Sequence, residues 1–171
     1  MASSNVLNVK TKQNEELKTG IEADAREQIA KHLSVILADT YILVVRSHIY
    51  HWNVVGPLFK SIHDLTEEHY ENMFKAADDI AERIRALGHP APVNAADIEM
   101  KINIAAPGKG MPSAKTMVED LVASHEKLSA EMRDMAEYAG DNSDPVTEDL
   151  LTERIAFHEQ AAWMLRALIT E

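Results

Sequence analysis

Cysteine is absent from this 171-residue chain, which excludes disulfides, thiolate metal sites and cysteine nucleophiles. The first residues, MASSNVLNVKTKQNEEL, lack the apolar core of a signal peptide, and no run of about 18 apolar residues predicts a membrane span. We therefore expect a cytoplasmic protein with no membrane partner.

Positive charge is also scarce, because 17 Lys and Arg face 28 Asp and Glu and the formal net charge is −11. Such a balance argues against a general nucleic-acid-binding surface and suits cation attraction, although solubility alone explains it equally well. Residues 1–22 form a predicted flexible tail whose charges cancel: Lys10, Lys12, Lys18, Glu15, Glu16 and Glu22. The tail therefore supports DNA binding only weakly.

Glycine and proline number six each and fall mostly between segments with hydrophobic residues at helical spacing. The spacing predicts four helices over about 23–54, 60–87, 113–138 and from 144 onward, in one domain covering residues 23–171. The long connector after residue 87 is expected to carry a short helix at 95–102. A connector of this length can cross a bundle from end to end, which predicts an all-α four-helix bundle with one long crossover.

Metal-ligand side chains gather at the start and along the length of the second predicted helix. His63 and Glu67 lie one helical turn apart, and Asp78 and Glu82 repeat that spacing. The eleven residues from Glu67 to Asp78 span roughly 1100° of rotation, so all four side chains share a sector of roughly 100°. The same eleven residues also span about 16 Å, which is too far for one metal ion.

The two pairs are therefore predicted half-sites. Two antiparallel copies of this helix, related by a two-fold axis near Asn72 and Met73, would bring the pairs of different chains together. The Gly56-Pro57 turn can fold His51 back beside His63. The sequence thus suggests a metal site shared between subunits.

These positions resemble the ferroxidase signature of the Dps family, the ferritin-like miniferritins called DNA-binding proteins from starved cells. The matching residues are His51-Trp52-Asn53, Gly56, Phe59, His63, Glu67, Asp78 and Ala81-Glu82-Arg83. The resemblance implies a homododecameric shell that oxidises ferrous iron, preferably with hydrogen peroxide, stores ferric mineral and protects DNA from oxidative damage. It implies a ferroxidase site of His51, His63 and Glu67 from one subunit with Asp78 and Glu82 from its two-fold mate.

Four further residues receive expectations with an alternative beside each. Trp52 lies next to His51 and is implied by the resemblance to be near the iron site, although interface packing explains it equally well. His48 could be an accessory ligand or a packed histidine. Asp144 and Asp149 are implied to line a three-fold iron-entry pore, whereas carboxylates at a helix start also favour the helix dipole.

The remaining histidines have no comparable partners in the sequence and are expected to be structural: His32, His69, His89, His125 and His158. A rival metal site inside one bundle would use Glu-x-x-His pairs, and no glutamate in the chain has a histidine three residues later. A second rival is a nucleoid-associated, DNA-compacting protein with secondary iron binding, which would need a basic tail or surface.

Overall fold

The computed structural model of the protein describes residues 17–92 and 110–170. Four helices form in these ranges, and no strand does: α1 Ala23–Asn53, α2 Phe59–Ala86, α3 Ala114–Asp141 and α4 Pro145–Ala167. The predicted all-α class is confirmed, and the helix bounds agree with the sequence to within about a turn. The predicted helix at 95–102 and residues 1–16 of the predicted tail lie outside the described ranges.

Contacts between helices set the directions of the bundle. Along the α1–α3 contact, Arg46 bonds to Asp120 and Asp39 to Lys127, so these helices run antiparallel. Helix α4 also packs against α3 and α2, with Arg154 reaching Asn72. Because α1 and α2 form a helical hairpin, α2 and α3 run in the same direction, as one long crossover requires.

The core is a stripe of aliphatic side chains and methionines contributed by all four helices. Its fully buried members include Ile29, Leu33, Ile62, Met73, Ile80, Ile84, Met117, Leu121, Met132, Leu151 and Leu165. Helix α1 is long and apolar enough to cross a membrane by length and composition alone. Several of its apolar residues pack in this core, among them Ile29, Leu33, Ile36, Leu37, Leu43 and Val44.

The sequence signals for helix ends are largely confirmed. The Ser113 hydroxyl accepts a hydrogen bond from the Thr116 N–H at 3.2 Å and caps α3. Gly88 has φ +92° directly after α2, in the left-handed conformation that closes many helices. The predicted end of α3 near residue 138 is about a turn too early, because the helix continues through Gly140 to Asp141 and the reversal falls at Ser143, with φ 62°.

A buried ion pair joins the end of α2 to the start of α4. The Arg83 guanidinium donates to the Asp144 carboxylate at 2.6 Å and to the Thr147 hydroxyl at 2.8 Å. Asp144 is fully buried and also accepts from the Thr147 N–H, which caps α4. Burial opposes ionisation of Asp144, but the hydrogen bonds from Arg83 and Thr147 outweigh it and lower the pKa of the carboxyl group.

Asp144→Ala is expected to reduce the free energy of unfolding by about 3 kcal/mol, because it removes a helix cap and leaves the Arg83 guanidinium without its partner. The exposed Asp149, on the same helix, is the matched control, and Asp149→Ala should change stability by less than about 0.5 kcal/mol. Urea unfolding followed by circular dichroism measures both variants. Equal stability of the two would show that the buried pair contributes nothing.

Three histidines that lacked partners in the sequence meet inside the bundle. His69 on α2, His125 on α3 and His158 on α4 are each at most 4% exposed. The Nδ1 atoms of His125 and His158 are 2.8 Å apart, and the His69 and His125 rings meet edge to face with centroids 5.3 Å apart. These histidines were expected to be structural, without comparable partners in the sequence. Their contacts join helices that are far apart in sequence, which spacing along the chain does not reveal.

Burial lowers the pKa of His158 to about 3 and the pKa of His125 well below its usual value. The unfolded chain therefore binds more protons than the folded chain below about pH 6.5, so stability should fall as pH drops from about 6.5 toward 3. His158→Gln removes one such group, and its stability should fall less steeply, by about 1.4 kcal/mol per pH unit. Urea unfolding at several pH values tests this, and a slope equal to that of the wild type would contradict it.

Candidate metal centre

The turn between α1 and α2 brings the first two predicted ligands together. His51 lies in the last turn of α1 and His63 in the second turn of α2. Gly56 adopts φ +101° between them, a conformation that residues with a Cβ rarely take. The chain can therefore reverse within five residues and set the two imidazole rings side by side.

The two histidines are held by crossed hydrogen bonds to each other's backbone. His51 Nδ1 lies 2.8 Å from the His63 carbonyl oxygen, and His63 Nδ1 lies 3.0 Å from the His51 carbonyl oxygen. Their rings stack with centroids 3.7 Å apart and planes inclined by 17°. This arrangement ties the end of α1 to the start of α2 and sets both ring orientations.

These bonds also determine which nitrogen can bind a metal. A carbonyl oxygen only accepts hydrogen bonds, so each Nδ1 must carry the proton. In the neutral ring the lone pair then lies on Nε2, and among the described residues neither Nε2 of His51 nor that of His63 has a hydrogen-bond partner. An imidazole oriented through Nδ1–H by a backbone carbonyl is a common form of metal-ligating histidine.

Thr66 also contacts this histidine pair, and the sequence pattern did not predict its role. Its hydroxyl is fully buried and donates to the carbonyl oxygens of Ile62 and His63, at 2.7 Å and 3.0 Å. The same oxygen lies 3.5 Å from His51 Nδ1. Thr66 therefore helps position the carbonyl group that orients His51.

Glu67 lies one turn after His63 on α2, with its side chain exposed. Its carboxylate accepts a hydrogen bond from the Tyr70 hydroxyl at 3.4 Å. Asp78 and Glu82 are also exposed, three turns further along the same helix. Within residues 17–92 and 110–170, no three His, Asp or Glu side chains come close enough to form a metal site.

Comparison with known proteins places this chain in a family. A family model of the ferritin-like domain matches residues 30–171. The DNA protection during starvation protein of Helicobacter pylori is 31% identical over 140 residues, covering 82% of this chain and 95% of that protein. The chain belongs to the Dps miniferritins of the ferritin-like family.

Two further relatives agree with this membership. An uncharacterised low temperature-induced protein of Nostoc sp. is 40% identical over 155 residues, covering 90% of this chain and 86% of that protein. The solved structure of Dps from Thermosynechococcus elongatus superimposes with a TM-score of 0.78 at 30% identity, covering 86% of this chain and 94% of that chain. The ferritin-like bundle predicted from the four helices and their crossover is confirmed.

An aromatic stack extends from the histidine pair of this Dps chain toward the surface. Tyr70 packs on His48 with ring centroids 3.9 Å apart and meets His51 edge-on at 5.4 Å. Trp52, which is 67% exposed, also stacks on the His48 ring, with ring centroids 5.3 Å apart. Burial and the neighbouring His51 lower the pKa of His48. Sequence reasoning missed Tyr70, although its position three residues after Glu67 places it on the same helix face.

The two predicted pore carboxylates lie in different surroundings. Asp149 is exposed on the second turn of α4. Asp144 is fully buried, with its oxygens occupied by Arg83 and Thr147. The alternative of a carboxylate that stabilises a helix start therefore describes Asp144 within one chain.

Proposed function

We propose that this protein is a ferroxidase that oxidises ferrous iron with hydrogen peroxide and stores the ferric product inside a homododecameric shell in the cytoplasm. Membership of the Dps family supports iron storage and DNA protection as the general function. The observation that carries the more specific proposal is the His51 and His63 pair, whose Nδ1 atoms are bonded to backbone carbonyls while neither Nε2 atom has a partner among the described residues.

The two imidazoles are well suited to ferrous iron, which takes mixed nitrogen and carboxylate ligands. In the proposed site His51, His63 and Glu67 come from one chain, and Asp78 and Glu82 come from its two-fold mate. The neutral imidazoles bind without adding charge, and the carboxylates balance the charge of the iron. Tyr70 holds Glu67 through a hydrogen bond, which limits the directions that this carboxylate can take.

The proposed reaction consumes two ferrous ions for each peroxide. Each ferrous ion gives up one electron, and the two electrons cleave the O–O bond of hydrogen peroxide without forming hydroxyl radical. The ferric ions then hydrolyse to ferric oxyhydroxide, and four protons are released for each pair of ions. The exposed carboxylates Asp78 and Glu82 belong to the half of the site that awaits a partner.

Exposed aromatic surface supports the proposed pairing of two α2 helices. Phe74 is 61% exposed, directly after the Asn72–Met73 position of the expected two-fold axis. Tyr41 on α1 meets the Phe74 ring edge-on at 6.4 Å, so the two form one apolar surface. Burying such a surface against a second copy would bring the separated half-sites within reach of each other.

For iron entry, we propose that the exposed Asp149 carboxylates line a three-fold pore and that Asp144 holds in place the start of the helix that presents them. DNA compaction with secondary iron binding is the alternative function. It is the weaker candidate because the net charge of −11 repels phosphate and the charges of residues 1–22 cancel.

Glu82→Ala is expected to slow peroxide-driven oxidation of ferrous iron by at least about tenfold, because it removes a carboxylate that would bind the iron. Stopped-flow ferric absorbance after anaerobic mixing, with peroxide or oxygen as oxidant, measures the rate. Asp79→Ala is the matched control, since Asp79 is also exposed on α2 but points about 100° away from Asp78. Wild-type kinetics in an intact Glu82→Ala assembly would refute the site assignment.

Mixed assemblies test whether ligands come from two chains. A dimer of one His63→Ala chain and one Glu82→Ala chain has one site with wild-type ligands only, so a random mixture should regain about a quarter of the sites. Mixing His63→Ala with His51→Ala is the control, because both changes affect the same half-site and every site keeps a defect. Equal rates for the two mixtures, with mixed dimers verified by mass, would mean that the ligands come from one subunit.

A further inference from the structure

Arg154 on α4 is a buried cation without an acidic partner among the described residues. Its residue is 6% exposed, one terminal nitrogen donates to the Asn72 side-chain oxygen at 2.7 Å, and its guanidinium carbon lies 4.5 Å from the centre of the Phe157 ring. Its Nε–H is buried with no acceptor. Glu153 and Asp79 influence it only through space.

An unpaired buried charge is costly, because the guanidinium loses its hydration without gaining a counter-charge. Arg83 shows the usual solution in this protein, since it bonds to the buried Asp144 carboxylate. Arg154 has a neutral amide and an aromatic ring in the corresponding places. Its surroundings therefore call for a negative group that the described chain does not supply.

The neighbouring histidines offer a second unpaired donor. In the 2.8 Å contact between His125 Nδ1 and His158 Nδ1, one nitrogen donates and the other must be bare. A neutral ring that is bare at Nδ1 carries its proton at Nε2, so one of the two Nε2 atoms is an N–H donor. Both Nε2 atoms are buried without partners, which leaves that donor without an acceptor.

Charge and ligand type argue against a cation at this cluster. Burial is the largest cause of the lowered pKa of His158, and the charge of Arg154 lowers that pKa further. For His125, burial again comes first, and His158, His69 and Arg154 each lower its pKa further. A metal ion would meet that guanidinium at close range, and the described residues form no three-ligand metal group here. Two N–H groups without acceptors, one on the Arg154 guanidinium and one on an imidazole, are instead the features of an anion site.

The α2–α4 contact leaves space beside this cluster. A groove of about 180 Å³ is lined by His69, Asn72 and Phe157, together with four neighbours, Glu68, Gln160, Ala161 and Met164. Asn72 and Phe157 both contact Arg154, and His69 packs against His125. The groove is thus walled by side chains that contact the Arg154 guanidinium and the His125 ring.

We propose that the bundle core contains an anion site in which a small monovalent anion of the halide class binds between the Arg154 guanidinium and the imidazoles of His125 and His158. The anion neutralises the buried charge and accepts the Arg154 Nε–H and the free imidazole N–H. The site lies on α3 and α4, apart from the His51 and His63 pair, and is independent of the ferroxidase proposal.

Bromide provides a direct test, because its anomalous scattering identifies it in a crystal. Crystals of the assembled wild-type protein soaked in sodium bromide are expected to show an anomalous peak within about 3.5 Å of Arg154 Nε. The absence of a peak at Arg154 would overturn the proposal. A carboxylate from a neighbouring copy bonded to Arg154 would also overturn it, because the counter-charge would then come from protein.

Thermal unfolding gives a second readout that needs no crystal. Replacing gluconate with chloride at constant ionic strength should raise the Tm of the wild type, because an anion that binds only the folded state stabilises it. Arg154→Met should lose this rise, whereas Lys60→Met should keep it, since Lys60 is an exposed cation paired with Asp64. An equal rise in both variants, or no rise in the wild type, would contradict the site.

Discussion

The crossed hydrogen bonds between His51 and His63 are the interaction on which the candidate metal centre depends. Each histidine uses its Nδ1 to hold the backbone of the other, so the bonds that join α1 to α2 also orient both rings. Local structure and potential chemistry are thereby coupled, because a change that loosens the turn at Gly56 would also disturb the two imidazoles. Thr66 reinforces the arrangement by bonding to the same His63 carbonyl.

Helix geometry limits what one chain can do with this pair. A straight α2 keeps Glu67 about 16 Å from Asp78, and no local rearrangement of side chains can close that gap. The carboxylates at 78 and 82 are exposed and separate from the histidines within the chain. The proposed function therefore makes assembly a condition of catalysis and places the apolar surface around Phe74 at the contact.

Two arginines, the partly buried Arg83 of α2 and the buried Arg154 of α4, have different partners. Arg83 is neutralised by Asp144, and the pair connects the end of one helix with the start of another. Arg154 lies among Asn72, Phe157 and the histidines with no carboxylate bonded to it in the described chain. A buried guanidinium needs a counter-charge. The contrast with Arg83 therefore supports the proposal that an anion from outside the described chain neutralises Arg154.

Much of this architecture follows from local sequence patterns. Four apolar periodicities, the Ser113 and Asp144 caps and the glycine after α2 predicted helices that the structure contains, because these signals act within one or two turns. The predicted end of α3 is about a turn too early. Gly140 lies inside the helix, and the sequence alone does not distinguish such a glycine from one that follows a helix. The ligand positions on α2 were predictable for the same local reason, as one helix sets their spacing.

Contacts between distant segments could not be read in this way. The sequence by itself determined the four helices and the shared face of His63, Glu67, Asp78 and Glu82, and it predicted that a second chain completes a site. Only the tertiary structure decided that His69, His125 and His158 meet, that Asp144 neutralises Arg83 and that no carboxylate of the described residues bonds to Arg154. The reason is that periodicity describes one helix at a time, whereas burial and pairing depend on how the helices are rotated and packed against each other.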